Sequence, residues 1–403
     1  MKHKRLISLD VFRGMTIAGM ILVNDPGSWS HVYAPLRHAS WHGLTPTDWV
    51  FPFFLFVVGV SIPLAFERRL SEAVPKASIL RQAFTRALIL FGIGLGLKVY
   101  HLGLLGKLSW DTMRWVGVLP RIAVVYFGCS LLYLHTSKKA QAWIAGIILV
   151  GYCLALGTIP VPIDETLRTA LAAGEIKSAA GMIPIPDGTV AEGNSIPASF
   201  APGLNLAAWL DRQLIPGRLW EYSWDPEGIL STLPALVTGM LGMFTGAWIR
   251  HAQSTPRQAA GLMGAGAIAM MAGGIWAWFM PFNKNLWSSS FTLYTAGLAA
   301  LILGAMIWLI DGEKKLTRFS KPFQIFGSNA IAAYILHSVC ARPVAARFGP
   351  EGETWSINSL FMDKLMATGL PPNFVSLLWA LSYTSLIFAI VYQLHRRKLF
   401  LRI

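Results

Sequence analysis

Charge is scarce in this chain. Only 13% of its 403 residues are Asp, Glu, Lys or Arg, against roughly 25% in a soluble domain. With 54% of the residues hydrophobic, the main solvent has to be lipid. Cysteine is scarcer still. Cys129, Cys153 and Cys340 all fall in or beside apolar runs and share no metal-ligand spacing, which excludes a disulfide framework. Acids are fewer than bases, 20 against 34, for a net charge of +14. In a soluble protein that surplus would point to nucleic acid. Here the bases cluster in short loops between apolar runs, the pattern that orients membrane proteins, and nucleic acid is excluded as a partner. The first apolar run, Leu6 to Val23, is broken by Asp10 and Arg13. It therefore lacks the uninterrupted core of a signal peptide and reads as an uncleaved spanning helix. No internal repeat of the transporter kind is present.

The runs themselves define an all-α fold: one polytopic transmembrane bundle over residues 1–403. A span needs about 20 mostly apolar residues. About ten segments qualify, at approximately 7–24, 49–66, 83–103, 117–134, 141–160, 229–249, 258–280, 289–310, 323–341 and 374–394. Glycine is plentiful, at 37 residues, and Gly92 with Gly96 and Gly242 with Gly246 sit at the spacing that lets membrane helices approach closely. Pairs of this kind on an outer face would also suit a homodimer. With the N-terminus in the cytoplasm, that side receives Lys2, Lys4, Arg5, Arg68, Arg69, Lys76, Lys138, Lys139, Arg250, Arg257, Lys314, Lys315, Arg396, Arg397 and Arg402. The bias predicts both termini to be cytoplasmic. The opposite, external side carries the long connections: 25–48, about 161–228, and about 342–373. The second of these is too long for a simple connector and is expected to fold over the bundle as a lid or substrate platform.

Residues able to do chemistry gather on that external side. His38 and His42 lie between the first two spans, with Asp48 leading into the second. A histidine at a membrane boundary is ordinarily an interfacial side chain. The functional readings are a general base, since imidazole titrates near neutral pH, or a metal site if the segment is helical and a third ligand exists. Asn24 ends the first span, either as an ordinary helix C-terminal residue or as a donor to a developing oxyanion. Asp225-Pro226-Glu227-Gly228 reads as a helix start, with Asp as N-cap and Pro at the first helical position. Its two carboxylates would equally suit a sugar ammonium. In Asn283-Lys284-Asn285-Leu286-Trp287-Ser288, the lysine beside a tryptophan is ordinarily an interface anchor, while the two amides suit sugar hydroxyls. Arg121, Asn329 and His337 fall inside apolar runs, with Arg13 and Lys98 nearer the ends; such groups are costly in lipid and face cavities or partners. They predict a polar path through the bundle, compatible with an enzyme or with an amino-sugar transporter. A non-catalytic subunit or sensor would not need a histidine and an asparagine placed opposite a basic cytoplasmic face.

Taken in order, these stretches resemble the heparan-α-glucosaminide N-acetyltransferase family and its bacterial relatives. The matching stretches are Leu9-Asp10-Val11-Phe12-Arg13-Gly14, Val23-Asn24, His38-Ala39-Ser40-Trp41 through Gly43-Leu44 to Asp48, and Gly117-Val118-Leu119 with Arg121. Further along come the Asp225 motif, the Asn283 motif, and Asn329 with His337. The family's Gln before the arginine of the Gly117-Val118-Leu119 stretch is Pro120 here. The resemblance implies transfer of acetyl from cytoplasmic acetyl-CoA, with no metal, to the amine of a glucosamine-type sugar across the bilayer. It implies His38 as catalytic histidine with Asn24 and Asp48 beside it. Asp225, Glu227, Asn283, Asn285, Trp287 and Trp41 would face the sugar, and Arg13, Arg114, Arg121, Asn329 and His337 the coenzyme. It also implies a multi-pass protein of the bacterial inner (plasma) membrane with His38 facing the periplasm; some bacterial relatives are labelled N-acetylglucosamine-related transporters. Lysosomal members carry an extra luminal N-terminal domain, whereas the apolar pattern here begins within ten residues, pointing away from heparan sulfate as acceptor.

Overall fold

The computed structural model describes residues 6–252, 254–315, 317–346, 348 and 355–401. Lys2, Lys4, Arg5 and Arg402 of the orientation argument, and 347 and 349–354 of the third long connection, lie outside them.

Among the described residues nine helices are long and apolar enough to cross a membrane. In chain order the bundle begins with α1 (Ile7–Asn24), α2 (Val50–Ser71), α3 (Lys76–Leu104), α4 (Val118–His135) and α5 (Lys138–Thr158). Two short helices follow in the long connection, α6 (Glu165–Ala173) and α7 (Leu206–Leu214). The bundle resumes with α8 (Thr232–His251), α9 (Thr255–Trp276) and α10 (Ser289–Met306), the last running on into a π-helical turn over Ile307–Gly312. It ends with α11 (Thr317–Ser328), α12 (Ala330–Ala345), α13 (Ile357–Met366) and α14 (Pro372–Arg396).

The run at 323–341, expected as one span, is two helices. Asn329 interrupts it with φ −130° and ψ 36°, outside helical geometry. The amide is buried. Its Nδ2 donates to the Leu399 carbonyl (3.2 Å) and its Oδ1 accepts from the Leu401 amide (3.3 Å), so the buried side-chain amide is satisfied by the chain that follows α14. Of the ten expected spans this one is not found as a full-length helix: α12 is apolar but only 16 residues long, with the amphipathic α11 ahead of it.

Helices pack where glycine removes the side chain. A Cβ on Gly14 would stand 1.7 Å from the Phe323 carbonyl oxygen, and one on Gly327 would stand 1.8 Å from that of Asp10, which sets the contact of α1 with α11. Gly59 meets Gly239, and Gly242 and Gly246 meet the backbone at Phe56 and Val60, joining α2 to α8 at the centre. Gly266 and Gly297 do the same for α9 and α10. Backbone contact of this kind supplies the dispersion that hydrophobic sorting cannot supply in lipid. Gly92 and Gly96 differ: nothing lies within 4 Å of either, so they face outward from α3.

The long connection folds as a small unit with its own core of Val161, Leu167, Ala170, Ile176, Ile196 and Leu204. Strand β1 (Val161–Pro162) pairs antiparallel with β4 (Ser195–Ile196), and β2 (Glu175–Ser178) with β3 (Gly181–Pro184). Arg212 on α7 ties it together, donating to Asp164 (2.6 Å) and to the carbonyls of Gly203 and Ser223 (2.8 Å each). It sits at the bundle end where α1 finishes and α8 starts.

Substituting Gly14 by Ala forces backbone apart at the α1–α11 contact and is expected to destabilise by about 1–3 kcal/mol. The thermal midpoint of the detergent-solubilised protein should drop, whereas Gly92→Ala, pointing into open space, should leave it unchanged.

Candidate active site

The segment between α1 and α2 is irregular, with short 3-10 turns at Ala34–Leu36 and Pro46–Trp49. Asp48 lies in the second turn with its carboxylate removed from solvent. A buried carboxylate must find donors. Oδ2 accepts from the backbone N–H of Ala39 and of Thr45, both at 3.1 Å, and Thr45 with Asp48 closes a capping box. Oδ1 takes the remaining donor, His38 Nδ1, at 2.7 Å. An ionised carboxylate only accepts, so Nδ1 carries the proton and Nε2 is the imidazole's acceptor. The ring itself is 39% exposed, so that acceptor is reachable from the aqueous end of the bundle.

A third group joins this pair from between α9 and α10. Lys284 Nζ stands 3.1 Å from His38 Nδ1, 3.4 Å from Nε2 and 3.8 Å from Asp48 Oδ1. Burial draws this ammonium down from the ordinary lysine range, against the opposing pull of Asp48 and Glu227. Asn283, beside it, is fully buried. Its Oδ1 accepts from the Leu286 amide (2.8 Å) and its Nδ2 faces His42 Nδ1 (3.4 Å). Burial lowers the His42 imidazole below its usual range, which favours the neutral ring that such a contact needs. Trp287 is also inside the core, with φ +52°. Its indole N–H donates to Thr238 (3.0 Å), its ring meets Phe51 and Phe291 edge-on, and the Arg121 guanidinium lies 5.4 Å from its centre. Asn285 is partly exposed on the same turn.

The Asp225 motif does not start a helix. α8 begins at Thr232, and Asp225 instead closes a turn, accepting from the amides of Glu227 and Trp220 (2.9 Å each). The N-cap reading fails because Asp-Pro opens turns as readily as helices. Both carboxylates of the motif are turned to Arg114, which donates from Nε to Asp225 Oδ2 (2.7 Å) and from Nη2 to Glu227. Burial alone would lower Arg114; Glu227 and Asp225 outweigh it and hold the guanidinium above the ordinary arginine range. Burial would likewise raise Glu227, but Arg114 and Arg121 hold it below the usual carboxylate range. Trp220 covers Arg114, with the guanidinium 5.1 Å from its ring centre. Arg121, one turn into α4, is 2% exposed and donates to the Gly228 carbonyl (2.9 Å) and to Ser231. Its Nε and Nη1 have no hydrogen-bond partner.

The remaining candidates divide between the two ends. Asn24 is the exposed last residue of α1, next to Asp25, whose Oδ2 lies 2.9 Å from His337 Nδ1. The two atoms are close but not aligned for a hydrogen bond. Trp41 donates to the Phe200 carbonyl (2.8 Å) and packs edge-on against Trp224, linking the His38 segment to the folded connection. Arg13, about 9 Å along α1 from its first residue, reaches Ser61 on α2 (3.1 Å), and it lies with Asn329 toward the opposite end. His38, Asp48, Arg114, Arg121, Asp225, Glu227, Asn24 and His337 are therefore gathered at one end of the bundle, and Arg13 and Asn329 are not. No group of three His, Cys, Asp or Glu placed to hold a metal occurs among the described residues. The His38–Leu44 segment is not helical, so the spacing of four does not put the two imidazoles on one face.

Two groups escaped the sequence reading. Lys284 looked like an interface anchor, although its place between two Asn residues was a signal. Asp211 on α7 had none. It is buried against Gly228 and accepts from the Ile229 amide (2.8 Å). Burial pushes its carboxyl up to about 7.

The imidazole, carboxylate and ammonium cluster thus lies at one end of a polytopic helical membrane bundle. More narrowly, the chain is similar to the heparan-alpha-glucosaminide N-acetyltransferase family. The family model described as "Heparan-alpha-glucosaminide N-acetyltransferase, catalytic" matches residues 5–172, which include His38 and Asp48. The chain is 30% identical over 359 residues to the Homo sapiens protein of that name, covering 83% of this chain and 53% of the relative. It is 28% identical to the Mus musculus protein over 423 aligned positions, covering 99% of this chain and 60% of the relative. The chain thus spans little more than half the length of these relatives.

Removing Arg114 would strand two buried carboxylates. Arg114→Ala is expected to destabilise by about 3–5 kcal/mol, read as a lowered thermal midpoint. Asp211 gives a pH dependence of known sign. Its folded pKa lies above its unfolded one, so folding binds a proton between about 4 and 7 and stability falls as pH rises through that window. Asp211→Asn should flatten that part of the midpoint-versus-pH curve.

Proposed function

We propose that the chain is an acetyltransferase, moving acetyl from acetyl-CoA to the amine of a glucosamine-type sugar, with donor and acceptor on opposite sides of the membrane. The observation that carries the reading is the His38–Asp48 contact, which fixes the imidazole tautomer and leaves Nε2 exposed as a base. The names of the relatives supply the reaction class. The acceptor nitrogen attacks the thioester carbonyl, its proton passes to His38 Nε2, the C–S bond breaks, and the proton leaves with the coenzyme A thiolate. Asn24 is the candidate donor to the tetrahedral oxyanion, and removing such a donor costs roughly 2.7–4 kcal/mol. Trp41 and Asn285 are the candidates nearest to the sugar.

The surplus of Lys and Arg at the other end suits the coenzyme phosphates. By the positive-inside rule that end is cytoplasmic, in a bacterial inner membrane, with His38 periplasmic. A pantetheine arm covers about half of the roughly 30 Å hydrocarbon core, so the reading requires the coenzyme to enter between the helices and the other half of the distance to be covered from the His38 end. Arg114 engages both Asp225 and Glu227, so sugar recognition rests on hydrogen bonds rather than on a free carboxylate.

Proteoliposomes holding glucosamine inside and given labelled acetyl-CoA outside, and the reverse, test the reading. Product N-acetylglucosamine is expected in one orientation. His38→Ala should lower its formation by about 10²–10⁴-fold while thermal stabilisation by acetyl-CoA persists. Accumulation of unmodified sugar without acetylation would instead identify a carrier.

A further inference from the structure

The reaction just described does not use the amine that stands nearest to its base. A general base takes a proton from a nitrogen brought within about 2.6–3.2 Å of it, or slightly farther before the site tightens. Lys284 Nζ already stands 3.4 Å from His38 Nε2 and 3.1 Å from Nδ1. Nδ1 is committed to Asp48, so Nε2 is the nitrogen that can receive a proton. A primary amine on carbon is the same functional group as the amine of glucosamine. The chain therefore presents its own lysine where the acceptor has to come.

We infer that Lys284 is a modification site: it occupies the acceptor-amine position beside His38 and is acetylated when acetyl donor is present without sugar. The inference rests on the acetyl-transfer reading above. Nζ attacks the thioester carbonyl carbon, a C–N bond forms and the C–S bond breaks. The Nζ proton goes to His38 Nε2 and then to the departing thiolate, leaving acetyl-lysine and free coenzyme A. No oxidant or reductant is needed.

The surroundings support this. The Lys284 side chain is 22% exposed, so a donor reaching His38 also reaches Nζ. Burial, the main influence on this amine, favours its neutral, nucleophilic form. Asp48 at 3.8 Å and Glu227 oppose that effect but are themselves held, Asp48 by His38 and two backbone amides, Glu227 by Arg114. His42 faces Asn283, and Arg121 bears on Glu227 rather than on the lysine. Acetylation would remove the positive charge beside His38 and cover Nε2, closing the site to sugar until the group is removed. An acceptor sugar, by contrast, has to displace this amine from its contacts with His38 and Asp48.

The test uses the full-length protein in detergent, incubated with acetyl-CoA alone and examined by peptide mass spectrometry. Acetyl is expected at Lys284, at an occupancy reduced by about 10²-fold or more in His38→Ala. Lys177, exposed and distant from His38, should acquire the same low background in both proteins. Glucosamine added to the unaltered protein should suppress Lys284 acetylation in proportion to product formed, a comparison that needs no variant to fold. Normal acetylation of glucosamine with Lys284 no more modified than Lys177 would overturn the inference and leave the proposed function standing. Failure of both acceptors would bring down the proposed function and the inference with it.

Discussion

Asp48 has lost its water, and the turn before α2 is built around replacing it. Two backbone amides from opposite ends of the 39–45 stretch converge on one oxygen and an imidazole on the other. The carboxylate thereby folds the segment back on itself, fixes which nitrogen of His38 is protonated, and supplies the negative charge that draws Lys284 in from another helix pair. Leaving such a group unpaired in a buried setting is far more costly than any single bond it makes is favourable. One desolvated charge is thus enough to order three otherwise separate pieces of chain. Arg114 plays the matching part next door, where it holds the 225–228 turn by both its carboxylates and is itself roofed by Trp220.

The rest of the bundle keeps these charges at one end. Along α2 and α8, and along α9 and α10, small residues bring backbones into contact, and the polar groups buried there are short hydroxyls such as Thr238 and Thr295. Polar side chains collect where helices splay and the irregular connections begin. Trp41 and the Arg114–Gly217 bridge then fasten the folded connection over that end. The site is therefore assembled by chain segments far apart in sequence, over a floor of tightly packed helices.

Much of this was legible in the sequence, and the reason is the solvent. Lipid demands some 20 apolar residues per crossing, so length and composition alone located α2, α4, α10 and α14 closely. The same rule misread 323–341, because the apolar pattern runs straight through Asn329 while its hydrogen-bond partners lie some 70 residues further on. Glycine spacing showed the same limit: Gly242 and Gly246 pack against α2, whereas Gly92 and Gly96, equally spaced, face open surroundings. At the site, His38 and Asp48 were readable as a pair because they are near in sequence. Lys284 was not, since its meaning depends on a neighbour 246 positions away. Glu227 and Asp225 were visible as acids but not as acids sharing one arginine. Long-range pairing, which only the fold sets, separates the two cases.

The clasp at Asn329 also bears on the order of manufacture. A ribosome releases the chain from its first residue onward, so the break between α11 and α12 emerges well before the Leu399 and Leu401 backbone groups that satisfy its amide. Through that interval a buried polar kink sits in the membrane with its eventual partners not yet made. The final arrangement of α1, α11 and α12 around that kink is therefore completed after α14 has been made, so α14 is part of the bundle's assembly rather than an addition to a finished one.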